Sequence, residues 1–348
     1  MPIIISEVMK KGSSAGKTFL SQVSRPVKAA WNDWRGKAII KQATRRHNIT
    51  NVIDCSFIKA YLLCIFPPII RHIKSALQYN SYCGGSKFMK KKVKIGLALG
   101  SGAARGLAHI GVLQVLEENG IVPDYIAGTS IGAIVGALYA AGVSPKMMEG
   151  LAQNLDIKKY YDVTVPRYGF VKGQRIEELI KLLTRDKEFS ELNIPLTVTA
   201  VDLKTCRLIE LNEGKVYRAV RASISIPGIF TPVEQGDYIL VDGGLLARVP
   251  VDTVKRMGAD VVIGVDVGFR GQHRPPVNIL EVILQSLEVM ELEILKNNVE
   301  KGDVIIYPDV SDIHPFYFDK VEECVQEGRK AALEAMDRIK NLIQTYQR

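Results

Sequence analysis

Histidine is scarce in this chain, and its scarcity argues against two kinds of catalytic site. Five histidines occur among the 348 residues, and beyond residue 90 there are only His109, His273 and His314. None of these three has carboxylate or cysteine neighbours at metal-ligand spacing, so we expect no metal site. A Ser-Asp-His hydrolase places its histidine after the acidic residue, in a strand-loop context. None of the three histidines has that position, so a histidine base is not expected.

A disulfide framework and a long apolar run are also missing. The chain has five cysteines, an odd number, of which only Cys206 and Cys324 lie beyond residue 90. This usage indicates a reducing compartment. The most apolar stretch, residues 57–70, is interrupted by Lys59 and by Pro67-Pro68, and it is shorter than the roughly 20 residues of a membrane-spanning helix. We therefore expect a cytoplasmic protein, and peripheral attachment at the inner face of the membrane is a second interpretation.

Acidic residues are nearly missing from the first quarter of the chain. Residues 1–90 hold 15 lysines and arginines against 3 acidic residues, whereas residues 91–348 hold 31 against 34. The net charge of +9 therefore belongs to the N-terminal part, and the remainder gives no reason to expect nucleic-acid binding. Residues 1–88 are interpreted as a basic leader. It is either a membrane-surface segment or, as we favour, a disordered stretch or one that lies upstream of a natural start at Met89.

Strand and helix patterns alternate beyond residue 90. They predict strands near residues 93–99, 124–127, 195–203, 207–211, 238–241, 261–266 and 303–307. They predict helices at residues 107–119, 131–141, 145–154, 173–184, 215–222, 250–257, 278–300 and 319–343. This alternation favours a three-layer α/β/α sandwich with a mainly parallel central sheet. The helix at 278–300 is apolar on more than one face; we expect core burial, and a lid or self-association surface is the alternative.

The pentapeptide Gly128-Thr129-Ser130-Ile131-Gly132 has the pattern Gly-X-Ser-X-Gly. It lies between a predicted strand and a predicted helix. Glycines two places on either side of Ser130 permit a sharp, strained turn and close packing of the helix. The pattern favours a serine nucleophile on a strand-to-helix elbow. An ordinary serine in a glycine-flanked turn is the alternative.

A glycine-rich loop, Gly100-Ser101-Gly102-Ala103-Ala104-Arg105-Gly106, follows the first predicted strand directly. Amides of such a loop, at the start of a helix, form a site that favours negative charge. They can hold either a dinucleotide pyrophosphate or the oxyanion of an acyl-transfer intermediate. The dinucleotide interpretation is disfavoured because Arg105 takes the place of a glycine and Asp124 precedes its strand. We therefore expect no cofactor.

The third motif, Asp242-Gly243-Gly244, ends the strand predicted at 238–241. Its glycines let a ligand or another backbone approach the Asp242 carboxylate closely. Histidine is the usual base for a serine nucleophile, but no histidine is suitably placed. A two-residue Ser-Asp arrangement is therefore the better interpretation.

In this order, the three motifs resemble those of the patatin-like phospholipase family, and in particular its short bacterial members. The resemblance runs from residue 93 to about residue 335 and includes the segments 109–113 and 222–230. It implies a patatin-like catalytic domain at residues 89–348 and a lipid acyl hydrolase of the phospholipase A, lysophospholipase or carboxylesterase type. The alternative is a weakly active or inactive family member that serves as a regulatory or lipid-sensing adaptor.

The resemblance also implies roles for individual residues. Ser130 corresponds to the nucleophile and Asp242 to the general base, and the backbone amides of Ser101, Gly102 and Ala103 correspond to the oxyanion hole. Supporting positions are Arg105, Gly106, Gly128, Gly132, Gly243 and Gly244. Arg105 is expected either to steady the loop or to meet an anionic head group.

Chemistry sets a condition on Asp242. Because a carboxylate with a pKa near 4 is a poor base for a hydroxyl, a dry site must raise the pKa of Asp242. The expected partner is a lipid ester substrate. Self-association into a homo-oligomer is a further interpretation, and no nucleic-acid partner is expected.

Overall fold

Four stretches of the chain are described by the structure, a computed structural model: residues 92–164, 168–270, 275–296 and 302–347. All four lie within the unit Lys87–Arg348. The predicted leader at 1–88 and His273 lie outside the described residues. Across the described ranges, no helix has both the length and the apolar character needed to cross a bilayer.

A central sheet of eight strands organises the fold, and its middle is parallel. The strands of the described residues are β1 Ile95–Leu99, β2 Tyr125–Thr129, β3 Gly169–Val171, β4 Leu196–Asp202, β5 Arg207–Leu211, β6 Gly228–Phe230, β7 Val233–Gln235, β8 Tyr238–Asp242, β9 Val261–Val265 and β10 Val304–Ile306. The spatial order is β10-β9-β1-β2-β4-β8-β7, with β5 paired to β4. Strands β10 to β4 of this order run parallel, and β5, β7 and β8 pair antiparallel. Strands β3 and β6 form a separate parallel pair.

Helices cover both faces of this sheet. In the described residues they are α1 Ala108–Glu118, α2 Ile131–Ala140, α3 Pro145–Asn154, α4 Gln174–Leu183, α5 Val216–Ser223, α6 Val251–Arg256, α7 Ile279–Lys296 and α8 Val321–Tyr346. Successive side chains of a strand point to opposite faces. Leu97 and Leu99 of β1 accordingly join the large core with α1, α2 and α8, whereas Ala98 joins a second core with α6. The three-layer α/β/α sandwich with its mainly parallel sheet is confirmed.

The elements expected from the sequence pattern are found, with end points that differ by a few residues. The pattern does not predict the three-residue strands β3, β6 or β7, whereas β10, which is equally short, lies within the predicted apolar strand at 303–307. The helix expected at 278–300 is α7, and only one of its faces is covered. Leu284 is buried, whereas Val282 and Val289 are 48% and 57% exposed. The expectation of core burial is therefore only partly right.

Helices α1 and α8 cross at two glycines. A β-carbon on Gly111 would lie 2.0 Å from the Val325 carbonyl oxygen, and one on Gly328 would lie 2.0 Å from the Ala108 carbonyl oxygen. Two backbones can approach this closely only where no side chain intervenes. The two glycines therefore set the distance between the helices.

We expect Gly328→Ala to destabilise the domain although alanine favours helix formation. The added methyl group must push α1 and α8 apart, and overpacking of this kind costs about 1–3 kcal/mol. Gly150→Ala is the matched control: a β-carbon there meets nothing within 4 Å, so it should gain up to about 1 kcal/mol from helix propensity. Urea unfolding measures both changes. A Gly328→Ala protein as stable as the parent would contradict this account of the crossing.

Candidate active site

Ser130 lies on a strained elbow between β2 and α2. Its φ of 55° and ψ of −122° place a non-glycine residue in a conformation that side chains rarely adopt. Close packing leaves no room for side chains nearby, because a β-carbon on Gly128 would lie 2.5 Å from the Gly132 carbonyl oxygen, and one on Gly132 would lie 2.2 Å from the Leu99 carbonyl oxygen. The Ser130 amide donates to the Ser223 hydroxyl at 2.8 Å. These contacts hold the elbow that the pentapeptide predicts.

Asp242 at the end of β8 meets this serine. The Ser130 hydroxyl donates to Asp242 Oδ2 at 2.6 Å, and the Gly244 amide donates to Oδ1 at 2.8 Å. Both side chains are buried, with exposures of 5% and 6%. Gly243 is needed beside them, since a β-carbon there would lie 2.4 Å from Thr199 Oγ1. The structure thus joins two motifs that are far apart in the sequence.

Burial decides the acidity of Asp242. Removal from water raises the pKa of this carboxyl to about 6, and the hydrogen bonds from Ser130 and Gly244 act in the opposite direction. The rise that base chemistry requires is therefore present. At pH 7 the group is still a carboxylate, but one that holds a proton more strongly than an exposed aspartate.

The glycine-rich loop is tied down through its backbone. The Gly100 amide donates to the Val265 carbonyl at 3.0 Å, and the Ser101 amide donates to the Arg248 carbonyl at 2.8 Å. Ala103 has a φ of 49°, in the region that favours glycine. Among the described residues, the amides of Gly102 and Ala103 have no hydrogen-bond acceptor. Of the three predicted oxyanion donors, these two amides are the ones that no described residue engages.

A β-carbon at two of the loop glycines would clash with neighbouring elements. On Gly102 it would lie 2.7 Å from the Val267 carbonyl oxygen, and on Gly106 it would lie 2.2 Å from Cγ2 of Ile131. The second contact joins the loop to the first residue of α2, directly after Ser130. Close packing therefore fixes the loop against the elbow.

Two side chains, those of His109 and Arg105, also contact protein groups around the glycine-rich loop. His109 donates through Nε2 to the Gly100 carbonyl at 2.9 Å, and burial lowers its pKa to about 4, so it is neutral at pH 7. The Arg105 guanidinium is buried, pairs with Glu288 at 2.7 Å and donates to the Ile313 carbonyl at 2.9 Å. Arg105 therefore contacts protein groups, and its role in steadying the loop stays a prediction.

Two other groups at this centre are not identifiable from the sequence. Ser223 lies in the segment 222–230, but nothing in that segment indicates that its hydroxyl accepts from the Ser130 amide. Glu291 lies on α7, and the Ser101 hydroxyl donates to its Oε2 at 3.4 Å. The position of one glutamate in a helix that is apolar on several faces does not predict a contact with the site.

An apolar cavity of about 190 Å³ begins at Ser130. It extends between α2, α3 and α4 and the segment around Phe316. Its lining includes Leu107, Ile134, Leu138, Leu151, Ala152, Leu179, Phe230, Phe316 and Phe318. Ser130 is the only hydroxyl-bearing aliphatic side chain among its described lining residues. The cavity therefore suits a hydrocarbon group next to a single reactive hydroxyl.

We expect Asp242→Asn to stabilise the fold at pH 8. The folded protein keeps the Asp242 proton up to about pH 6, whereas the unfolded chain releases it near pH 4. Ionisation of the buried group therefore lowers the free energy of unfolding as the pH rises between these values, by roughly 1–3 kcal/mol. Asparagine avoids that loss, so the advantage of the variant should disappear as the pH falls to 4.

Urea unfolding at pH 4, 6 and 8 measures the difference. Asp237→Asn, at an exposed position in the turn before β8, is the control and should show no comparable pH-dependent gap. A gap for Asp242→Asn that stays constant with pH would contradict the raised pKa.

Comparison with known proteins identifies the domain. The profile of the patatin-like phospholipase family matches residues 97–255. A lysophospholipase of Aspergillus fumigatus is 35% identical over 189 residues, which are 53% of this chain and 12% of that protein. An uncharacterized NTE family protein of Mycobacterium tuberculosis is 36% identical over 177 residues, which are 50% of this chain and 49% of that protein. This chain thus matches half or less of each relative's length.

The fold is shared with a solved structure. The crystal structure of VipD from Legionella pneumophila aligns with a TM-score of 0.53 and 13% identity, over 71% of this chain and 67% of that chain. At this identity the likeness concerns the fold alone. The profile match covers the glycine-rich loop, the Ser130 elbow and the Asp242 turn. Residues 97–255 therefore carry the domain that the patatin-like phospholipase family profile describes.

Proposed function

We propose that this chain hydrolyses carboxylic esters of lipids, with Ser130 as nucleophile and Asp242 as general base. The observation that carries the proposal is the 2.6 Å hydrogen bond from the Ser130 hydroxyl to the buried Asp242 carboxylate, at the start of an apolar cavity. A nucleophile hydrogen-bonded to its base is the arrangement that covalent catalysis requires. The similarity to a lysophospholipase supports a lipid as the substrate class.

The reaction proceeds in two halves. Ser130 Oγ attacks the ester carbonyl carbon while its proton passes to Asp242 Oδ2, and the carbonyl oxygen becomes an oxyanion. The amides of Gly102 and Ala103 donate to that oxygen. When the intermediate collapses, the alcohol leaves with the proton from Asp242. Water then attacks the acyl-serine while its proton passes to Asp242. The bond from the acyl carbon to Ser130 Oγ breaks as that proton returns to Ser130, and the fatty acid is released.

The base is a carboxylate because no described histidine contacts the pair. His109 is neutral and occupied by the Gly100 carbonyl. His314 stacks on Tyr317 with ring centroids 4.3 Å apart and lies 3.8 Å from Glu281. A pKa of about 6 brings Asp242 closer to the value that is best for proton transfer near neutral pH. This supports a two-residue Ser-Asp mechanism.

The second candidate is a regulatory or lipid-sensing adaptor with little or no activity. Such a protein would use the apolar cavity but not the Ser130–Asp242 pair. The intact hydrogen bond and the strained elbow at Ser130 favour the enzyme, because an idle site has no need for a rare backbone conformation.

Peripheral membrane contact, a cytoplasmic location and self-association stay predictions. The outward face of α7 is relevant to membrane contact and to self-association. Ile279 and Met290 are 70% and 53% exposed, in addition to Val282 and Val289. Either a lipid surface or a second copy of the chain would cover such side chains.

Covalent labelling tests the proposal. A fluorophosphonate probe should label folded protein at Ser130, since the probe reacts with an activated serine hydroxyl. Ser130→Ala should lose the label entirely, and Asp242→Asn should label at least about 10²-fold more slowly because the base is missing. Mass spectrometry locates the adduct, and thermal unfolding confirms that each variant is folded. Equal labelling of Ser130→Ala would overturn the proposal in favour of the adaptor.

Substitution inside the cavity tests the substrate class. Ala152→Trp on α3 should fill space that an acyl chain occupies, and each excluded CH₂ group forfeits about 0.8 kcal/mol of burial, or roughly fourfold in kcat/KM. We expect p-nitrophenyl palmitate to lose at least about tenfold relative to p-nitrophenyl butyrate. Gln153→Trp, at an exposed position on the same helix, should leave the ratio unchanged. An unchanged ratio for Ala152→Trp would place the acyl chain elsewhere.

A further inference from the structure

Helix α7 brings an additional carboxyl group to the proposed catalytic centre. Its inner face contacts the turn at Gly243–Leu245, directly after Asp242. Glu291 lies on that face and is only partly exposed. The steps of ester hydrolysis given above do not use Glu291.

The position of the Glu291 carboxyl follows from two neighbours. The Ser101 hydroxyl, in the glycine-rich loop, donates to Oε2 at 3.4 Å. A β-carbon on Gly244 would lie 2.8 Å from Glu291 Oε1 and 3.1 Å from Asp242 Oδ1. Since both oxygens lie within about 3 Å of the same point, they are no more than about 6 Å apart. Glu291 thus lies between the loop and the turn that carry the proposed donors and base.

The charges around Glu291 are unbalanced. Asp242 faces it from β8 and Glu288 lies one turn earlier on α7, where it pairs with Arg105 at 2.7 Å. Arg248, the cation whose charge acts on Glu291, forms an ion pair with Asp266 at 2.9 Å. Burial and then the charge of Asp242 raise the pKa of Glu291 to about 8, against the smaller opposing effect of Arg248. At pH 7 the Glu291 carboxyl is therefore neutral.

We propose that Glu291 is a positioning residue of the Ser130–Asp242 centre. As a neutral carboxyl it joins Ser101 of the glycine-rich loop to the Asp242 turn, and as a carboxylate it brings a second negative charge to the place where the oxyanion develops. The inference rests on the proposed hydrolysis. It adds a residue outside the three sequence motifs and makes α7 part of the working site.

Ionisation of Glu291 should slow acylation of Ser130. The Gly102 and Ala103 amides gain their effect from a site without competing negative charge. A carboxylate beside Ser101, and within about 6 Å of Asp242 Oδ1, repels the oxyanion. At protein dielectric such a repulsion reduces a rate by roughly tenfold or more. The rate should therefore fall on the alkaline side of neutrality, whereas protonation of Asp242 causes the fall on the acid side.

The experiment measures the rate constant of fluorophosphonate labelling at Ser130 between pH 5 and pH 10. For the parent protein we expect a bell-shaped profile, with midpoints near pH 6 and pH 8 and a fall of roughly fivefold to tenfold between pH 7 and pH 9. Glu291→Gln keeps the size and the acceptor oxygen but cannot ionise. Its rate constant at pH 9, divided by that at pH 7, should exceed the parent ratio at least fivefold.

Two further variants make the test specific. Glu293→Gln removes the same charge from an exposed position on α7 and should keep the parent profile. Glu291→Asp still ionises and should retain an alkaline limb, which also covers the case in which Glu291→Gln fails to fold. Thermal unfolding at each pH separates a loss of structure from a loss of rate.

The outcomes are distinct from those for the proposed function. A parent profile without an alkaline limb, an unchanged limb in Glu291→Gln, or an equal effect of Glu293→Gln would overturn the role of Glu291 while labelling at Ser130 persists. No labelling of the parent at any pH would instead overturn the proposed hydrolysis.

Discussion

The hydrogen bond between the Ser130 hydroxyl and the Asp242 carboxylate is the contact around which the rest of the site is arranged. A carboxylate is costly to bury, and here it is compensated by two donors, the Ser130 hydroxyl and the Gly244 amide. Both residues of this hydrogen bond depend on an unusual backbone. Ser130 lies on a strained elbow, and Asp242 precedes a turn at Gly243 where a side chain would not fit. The same burial raises the pKa of Asp242 to about 6. Burial of the Asp242 carboxylate therefore makes it a stronger base and at the same time lowers the free energy of unfolding.

The glycine-rich loop is held by contacts from several elements. Four contacts each hold one part of it: those with strand β9, with the Arg248 carbonyl, with the neutral His109 and with the buried Arg105–Glu288 pair. The amides of Gly102 and Ala103 have no acceptor in the part of the chain that the structure describes. Helix α7 closes the arrangement from outside, since it supplies Glu288 to Arg105 and Glu291 to Ser101. We infer that α7 covers the candidate site and also forms part of it.

Seven of the ten strands and the eight α-helices of the described residues follow from the hydrophobic pattern of the sequence. The three-residue strands β3, β6 and β7 do not. The residues of the site divide in a similar way. Ser130 and Asp242 stand in motifs with local chemical meaning, whereas Ser223 and Glu291 act through contacts made 93 and 190 residues away in the chain. Such contacts leave no trace in local spacing.

The sequence by itself determined the order of strands and helices, the glycine positions at the elbow and turn, and the small number of histidines. These are local properties, fixed by residue type and spacing. Only the tertiary structure decided that the two distant motifs share a 2.6 Å hydrogen bond, that the Ser101 amide is engaged by Arg248, and that Arg105 is turned into the protein. It also decided the pKa of Asp242. The physical reason is that burial and long-range contacts arise from packing of distant segments, which no single stretch of sequence specifies.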